Sequence, residues 1–340
     1  VRDAGGFFVL ICTFSGNSKL DSGGKPGLKK QTVMTVKKFR SQQRSDIMNP
    51  SKSARLVQQL IFVGPLTLFF ILIMIVPFFL GLYYSMTNWD GVAAHAAWIG
   101  LDNYLHIFRQ DPDFRNAFWF TVKFTICGVL FTNLLGFFLA YFLTKPLRTR
   151  SVLRTVFFMP NMIGGLLLGF IWQFIFVRGF SAVGEATGLS FFTMPWLGNG
   201  PTAFWGTVIV FVWQYAGYLM VIYISSLSNV PKSLLESAQI DGADRWQILR
   251  SIVIPLIMPA VTVCLFLAIS WSFKVFELNL ALTQGGPFES TESVALDIYN
   301  EAFTNNRLGL GTAKAMIFFV IVAIITGIQV RLTKKREVEM

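Results

Sequence analysis

The chain alternates between long apolar runs and shorter polar connections, and the runs have the length of a bilayer crossing. Six of them lie near Leu60–Tyr84, Ala117–Phe142, Val156–Val177, Phe204–Leu227, Leu256–Phe276 and Ala313–Val330. Each approaches or exceeds the roughly 20 residues that a helix needs to cross a ~30 Å hydrocarbon core. None carries the polar stripe of a helix packed on a soluble core. The pattern predicts an all-α polytopic membrane protein with six transmembrane helices. Between the fourth and fifth runs a polar island, Glu236–Pro255 (ESAQIDGADRWQILRSIVIP), breaks the rhythm. Around it Leu234–Ile240 and Ala243–Ile252 read as helices, with Leu235, Ala238, Ile248, Leu249 and Ile252 as apolar anchors. Gly242 sits between them and takes a left-handed turn without Cβ strain. Helix, glycine and helix at a membrane surface predict a protruding knob that can plug into a groove on a soluble partner.

Composition agrees: 54% hydrophobic and 14% charged residues over 340 positions exclude an ordinary soluble domain. The distribution of Lys and Arg sets an expected orientation. Of the 29, 22 fall before the first run, between the second and third, in the 228–255 loop, or after the sixth. The others are Arg109, Arg115, Lys123, Arg178, Lys274, Arg307 and Lys314. Both termini and the knob are therefore expected to be cytoplasmic, and topology accounts for the net charge of +11. No basic face with interleaved aromatics points to nucleic acid. Residues 1–55 have the Gly, Ser and Lys content of a disordered cytoplasmic arm, ahead of a single membrane domain over 56–340. Phe7–Phe14 is too short to span and no small-residue cleavage site follows it, so no signal peptide is expected. Residues 1–33 are expected to carry no function, with Met34 or Met48 as a natural start.

Candidate chemistry is sparse. Cys12, Cys127 and Cys264, with His95 and His106, offer neither a disulfide framework nor metal-ligand spacing. Gly23-Gly24-Lys25-Pro26 lacks the upstream glycine and the Ser or Thr of a P-loop. No nucleophile–base constellation appears either, so the chain is expected to be no enzyme and to bind no cofactor of its own. The fourth run places Phe211, Tyr215 and Tyr218 at i, i+4 and i+7, with Gln214 beside them. The fifth offers Trp271, Ser272 and Val275. Flat aromatic faces offer apolar stacking surfaces, and the polar groups of a bound solute need partners because each one left unpaired costs roughly 1–3 kcal/mol. Aromatics on a membrane helix more commonly serve packing alone. Lys274 and Glu277, at i and i+3 near one end of the fifth run, read as a structural ion pair with a snorkelling lysine, and Lys123 is read the same way. Secondary transporters usually show ionisable relays deep in their spans, whereas the deep positions here are apolar. A membrane scaffold with no transport role would not need paired aromatics and Ser in facing spans.

The spacing Glu236-Ser237-Ala238, three residues, Gly242, nine residues, Ile252-Val253-Ile254-Pro255 resembles the cytoplasmic EAA loop of ABC-importer permeases, with Ser237 in place of Ala and Ile254 in place of Leu. Two other segments add to the resemblance. Thr87-Asn88-Trp89-Asp90-Gly91, Gly100-Leu101-Asp102-Asn103-Tyr104 and Asp111-Pro112-Asp113-Phe114 are similar to the outer lid of carbohydrate-type permeases, although Trp and Tyr at a span's edge are also ordinary interfacial anchors. Thr283-Gln284-Gly285-Gly286-Pro287, followed by Ile298-Tyr299-Asn300-Glu301-Ala302-Phe303, resembles the periplasmic loop of sugar ABC permeases.

Over about Leu60–Arg331 the resemblance implies the ABC type I importer permease fold, in the maltose/glycerol-phosphate/oligosaccharide branch. It implies half of the pore of an ATP-driven, binding-protein-dependent sugar importer in a bacterial or archaeal cytoplasmic membrane. The implied partners are a second, homologous permease, two ATPase subunits that hold ATP and Mg, an extracytoplasmic sugar-binding protein, the sugar and the lipid bilayer. Glu236 would pair with a basic residue of the ATPase and Gly242 would allow the bend, with Ser237, Ala238, Asp241, Ile252 and Pro255 completing the coupling element. Thr283, Gly285, Gly286 and Pro287 would form the outer loop. Phe211, Gln214, Tyr215, Tyr218, Trp271, Ser272 and Val275 would line the sugar path, with Tyr218 matching an aromatic, Trp271 replacing another ring type and Val275 replacing a polar side chain. Glycerol-phosphate remains open as the solute.

Overall fold

The structure, a computed structural model, describes residues 59, 61–146 and 148–334. The arm expected over residues 1–55 lies outside them. The described residues fall into two units divided between Val76 and Pro77. In the first, no residue of Gly64–Phe70 or Ile71–Ile75 is buried, although nearly all are large and apolar. A helix satisfies its own backbone in hydrocarbon, so lipid is the natural environment for such a surface. This segment opens α1 (Gly64–Tyr84).

The remaining elements belong to the second unit, which also holds a short helix at Ser190–Thr193 and a helical turn at Asn300–Thr304. The main ones are α2 (Asp102–Gln110), α3 (Pro112–Leu143), α4 (Arg150–Phe158), α5 (Gly165–Thr187) and α6 (Gly200–Ser228). After them come α7 (Lys232–Ile240), α8 (Arg245–Leu256), α9 (Met258–Phe273), α10 (Glu277–Leu282), α11 (Val294–Tyr299) and α12 (Leu308–Lys334). Among the described residues five continuous helices, α1, α3, α5, α6 and α12, are long and apolar enough to cross a membrane, and α8 with α9 makes a sixth when the bent pair is counted as one span. Among the described residues the extended pairing amounts to one Thr87–Trp98 bridge.

Two of the expected spans are drawn differently. Val156–Val177 is not one helix: α4 ends in a tight turn at Met159–Met162, and α5 begins only at Gly165. Pro160 has no N–H to continue the ladder, and Gly164 is extended (φ −60°, ψ 146°), so the crossing helix starts later and runs to Thr187. The fifth run is not straight either. It bends by 72° at Ile257 and its main helix stops at Phe273. Pro259 cannot donate to the carbonyl of Pro255 one turn earlier, and its ring crowds that carbonyl, which accounts for the bend.

The core is built on α6. In its apolar window 67% of residues are buried, against 28% in α3 and 17% in α5, which makes α6 the central span. Gly217 marks the closest approach: a Cβ there would stand 1.8 Å from the carbonyl oxygen of Phe157, so α4 rests directly on the α6 backbone. Arg154 then ties α4 to the end of α3 by donating from Nη2 to the Leu143 carbonyl at 3.1 Å, a favourable place for a cation at a helix C-terminus. Gly217→Ala should force the two backbones apart at a cost of about 3 kcal/mol, the upper range for overpacking. The expected result is a thermal midpoint several degrees lower in a detergent melt, and an unchanged midpoint would show that α4 does not bear on α6.

Candidate functional site

The knob is a preformed turn. Pro231 precedes α7, and Asp241 caps its end. Gly242 follows at φ +80°, donating to the Gln239 carbonyl at 3.1 Å, while Ala243 donates to Ala238 at 2.9 Å. This crossed pair is the Schellman arrangement that satisfies the last carbonyls of a helix, and it needs a left-handed residue at the position of Gly242. The next helix starts at once. Asp244 accepts from the Gln247 amide at 2.7 Å, and the Gln247 side chain accepts from the Asp244 amide at 2.8 Å, closing a capping box at the N-terminus of α8. Leu235, Ile248 and Leu249 pack against the core cluster around Tyr223 and Ile257, as expected, and Val253 is buried with them. Glu236, Ser237, Asp241 and Gly242 are exposed, while Ala238, Ile252 and Pro255 are half-buried. Among the described residues Glu236 takes part in no ion pair. Two exposed apolar side chains, Ile240 and Trp246, flank the turn. The knob thus offers a carboxylate and two apolar groups on a rigid support.

A cavity of about 310 Å³ opens where α5, α6 and the end of α9 meet. Phe211, Gln214, Tyr215, Trp271 and Val275 line it, five of the seven residues expected on the sugar path, together with Gly165, Lys274 and Glu277. Tyr215 stacks on Trp271 with ring centroids 4.6 Å apart and an 18° tilt. Gln214 is held by donating to the Ile163 carbonyl at 3.2 Å. Phe211 is fully buried and meets Phe124 edge-on, so it is more wall than surface. Tyr218 and Ser272 are not on the wall. Tyr218 stands edge-on to Trp271 and stacks on Phe158. Ser272 is buried and donates back to the Ile269 carbonyl at 3.0 Å. Helical spacing grouped Ser272 with Val275, but α9 ends between them and the phase is lost.

Above the cavity the chain is clamped by a residue that sequence reasoning passed over. Asn279 is fully buried in α10. Its side chain donates to Thr283 Oγ1 at 3.0 Å and to the Thr291 carbonyl at 2.8 Å, and accepts from the Ser293 amide at 3.0 Å. The Thr291 hydroxyl in turn has its one proton to share between the Thr283 hydroxyl, at 2.9 Å, and the Gly286 carbonyl. The turn Thr283–Pro287, with Gly285 at φ +81°, is therefore locked to α10. A lone Asn within the apolar Leu278–Leu282 stretch was the available signal. Asn279→Leu should strand the Thr291 carbonyl and the Ser293 amide; at roughly 1–3 kcal/mol for each buried group, protease cleavage near Thr283–Ser293 should rise, and unchanged protection would contradict the clamp.

A second missed cluster surrounds Lys314, which is fully buried in α12. Its ammonium lies 2.9 Å from Asp111, 2.9 Å from Asp297 and 3.0 Å from Glu301, and Arg307 approaches Glu301 at 3.5 Å. Asp111 also caps α3 by accepting from Phe114 at 2.8 Å. The cluster joins the residue before α3, α11 with the helical turn that continues it, and α12. Burial pushes the Asp297 carboxyl up to about 7, against the opposing pull of Lys314 and with Asp111 and Glu292 adding to the rise. The folded protein then holds a proton that the unfolded chain releases near pH 4. Stability should decline as pH rises from about 4 through 7 and be flat above that. Thermal midpoints should fall between pH 5 and pH 8, and Asp297→Asn should remove part of that slope; an identical slope in the variant would contradict the assignment.

With this geometry in hand, similarity to known proteins is decisive. The model of the family "binding-protein-dependent transport system inner membrane component" matches residues 132–338, from the middle of α3 past the end of α12. The chain belongs to this family. A probable starch degradation products transport system permease, AmyD of Thermoanaerobacterium thermosulfurigenes, is 45% identical over 280 residues, covering 82% of this chain and 95% of that protein. The multiple sugar-binding transport system permease MsmF of Streptococcus mutans is 34% identical over 262 residues, 77% of this chain and 90% of that protein. Among solved structures, a bacterial ABC transporter involved in the import of the acidic polysaccharide alginate superposes with a TM-score of 0.72 at 21% identity, over 84% of this chain and 96% of that one. The fold is that of an ABC type I importer permease, and a family member of this kind is a multi-pass transport subunit rather than an enzyme.

Proposed function

We propose that the chain forms half of the translocation pore of an ATP-driven, binding-protein-dependent importer of neutral oligosaccharides of the kind released from starch. The knob carries this reading: a rigid, solvent-facing turn with Glu236, Ile240 and Trp246 displayed around Gly242 is suited to seat in a partner that supplies the ATPase. In this reading ATP and Mg belong to two partner ATPase subunits, and a second, homologous permease completes the pore. An extracytoplasmic receptor delivers the sugar, and both termini face the cytoplasm. Closure of the ATPases pushes the docked knob. Because α8 meets α9 at a 72° bend, the push rotates α9 and the cavity at its far end, exchanging inward-open for outward-open access. The relatives' names support the sugar class.

Purification of the tagged chain from its native membrane tests the assembly: an ATPase and a second permease should co-purify with it. Uptake of labelled maltotriose by the reconstituted complex tests the solute. A chain that purifies alone, or a complex that imports sn-glycerol 3-phosphate and not maltotriose, contradicts the proposal.

A further inference from the structure

Lys274 and Glu277 would pair at i and i+3 if α9 continued, but it does not. The helix ends at Phe273, Lys274 has φ −91° and ψ 17°, and Phe276 has φ −122° and ψ −63° before α10 begins. Among the described residues neither side chain joins an ion pair. Both are exposed, and both line the 310 Å³ cavity beside Gln214, Tyr215 and Trp271. We propose that the broken segment delivers this ammonium and this carboxylate to the cavity as substrate-contacting groups, which bind hydroxyls of a neutral saccharide and set the pocket against phosphate esters. The proposal rests on the transport reading above and names which residues of the chain choose the solute.

Three features carry it. The break is held from behind rather than by its own charges: Ser293 donates to the Val275 carbonyl at 2.8 Å, satisfying backbone that the helix end would leave open. The neighbouring helix makes room for the carboxylate, because a Cβ on Gly165 of α5 would stand 2.9 Å from both Cβ and Oε2 of Glu277. The chemistry then matches one solute class. A carboxylate accepts from two vicinal hydroxyls, an ammonium donates to ring or glycosidic oxygens, and the stacked Tyr215–Trp271 pair offers an apolar ring face. The site carries no net charge, which suits a neutral polyol; a phosphate dianion needs an excess of positive charge, and the Glu277 carboxylate offsets the one ammonium the cavity offers. A carboxylate or ammonium with no fixed partner is also the group able to form charge-assisted hydrogen bonds to a ligand, about twice as strong as neutral ones.

The test uses the whole transporter, purified with its partner subunits into nanodiscs, and labelled maltotriose. Glu277→Gln should weaken maltotriose binding and slow ATP-driven uptake by about tenfold, and Lys274→Gln by at least several-fold, since each loses a charge-assisted bond. Co-purification of the ATPase should stay at the wild-type level. Should Glu277→Gln fail to assemble, Lys274→Cys answers the same question: maltotriose should slow its reaction with a small charged thiol reagent, measured against the background of the native cysteines, and sn-glycerol 3-phosphate should not. Wild-type binding and uptake in both Gln variants, or no protection by maltotriose, overturns the assignment of Lys274 and Glu277 while leaving the sugar importer intact. A wild-type complex that neither binds nor imports maltotriose overturns the transport reading itself.

Discussion

Gly242→Asp is expected to reduce ATP-driven uptake by at least about a hundredfold, while the chain still inserts and still assembles its spans. The position explains both halves of that result. Gly242 has φ +80° and is exposed, and a Cβ there would meet no atom within 4 Å, so the substitution creates no clash in the core. What it disturbs is the turn. A left-handed backbone at an L-residue costs about 1–2 kcal/mol, enough to favour rearrangement of the crossed hydrogen bonds from Gly242 and Ala243 and to shift Glu236 relative to Trp246. A docking element misplaced by an ångström loses coupling far out of proportion to its stability. The added carboxylate also sits beside Asp241 and Asp244, where it alters the charge offered to a partner. The measurement pairs uptake with ATPase activity in the same proteoliposomes, and normal uptake in the variant would remove the knob from the mechanism.

Lys314→Met is expected to be worse for the protein as a whole. It leaves Asp111, Asp297 and Glu301 facing one another in a buried site with no cation between them. Removing one partner of a buried ion pair typically costs 3–5 kcal/mol, a large part of the 5–15 kcal/mol that separates folded from unfolded chains. Because the cluster ties together the residue before α3, α11 with its continuing turn and the start of α12, the loss should separate these segments and prevent recovery of monodisperse complex. Adding Asp297→Asn and Glu301→Gln to Lys314→Met should restore part of the yield by removing two of the three stranded carboxylates and leaving only Asp111. If the single variant is recovered like wild type, the cluster does not hold the fold; if the triple variant is no better than the single, the damage is not electrostatic.

The six crossings and the knob were legible because their determinants are local. Run length reports the bilayer, Gly242 reports the left-handed turn, and Asp244 with Gln247 carries a readable capping signal. Span boundaries failed where a proline overrode hydropathy, at Pro160 and around Pro255 and Pro259. The cavity was legible in part, since α6 is continuous and Phe211, Gln214 and Tyr215 keep their helical phase. Lys274 and Glu277 do not form the ion pair their spacing predicts, because that spacing assumes a helix that ends at Phe273, while Ser272, still on the helix, turns its hydroxyl back to the Ile269 carbonyl. The Lys314 cluster was legible only in part: Asp297 and Glu301 share a helical face at i and i+4, but nothing in the spacing shows that Lys314 folds back onto them or that Asp111, remote in sequence, joins them. An intramembrane lysine beside acid-bearing connections was nonetheless a reason to look.

The most direct test of a pore driven from outside its own chain is transport by the complex in proteoliposomes under separate energy sources. Maltotriose should enter only when ATP is present on the knob side and the sugar receptor on the other, and imposed proton or sodium gradients should have no effect. Entry driven by an ion gradient, with the ATPase subunits absent, would contradict the account.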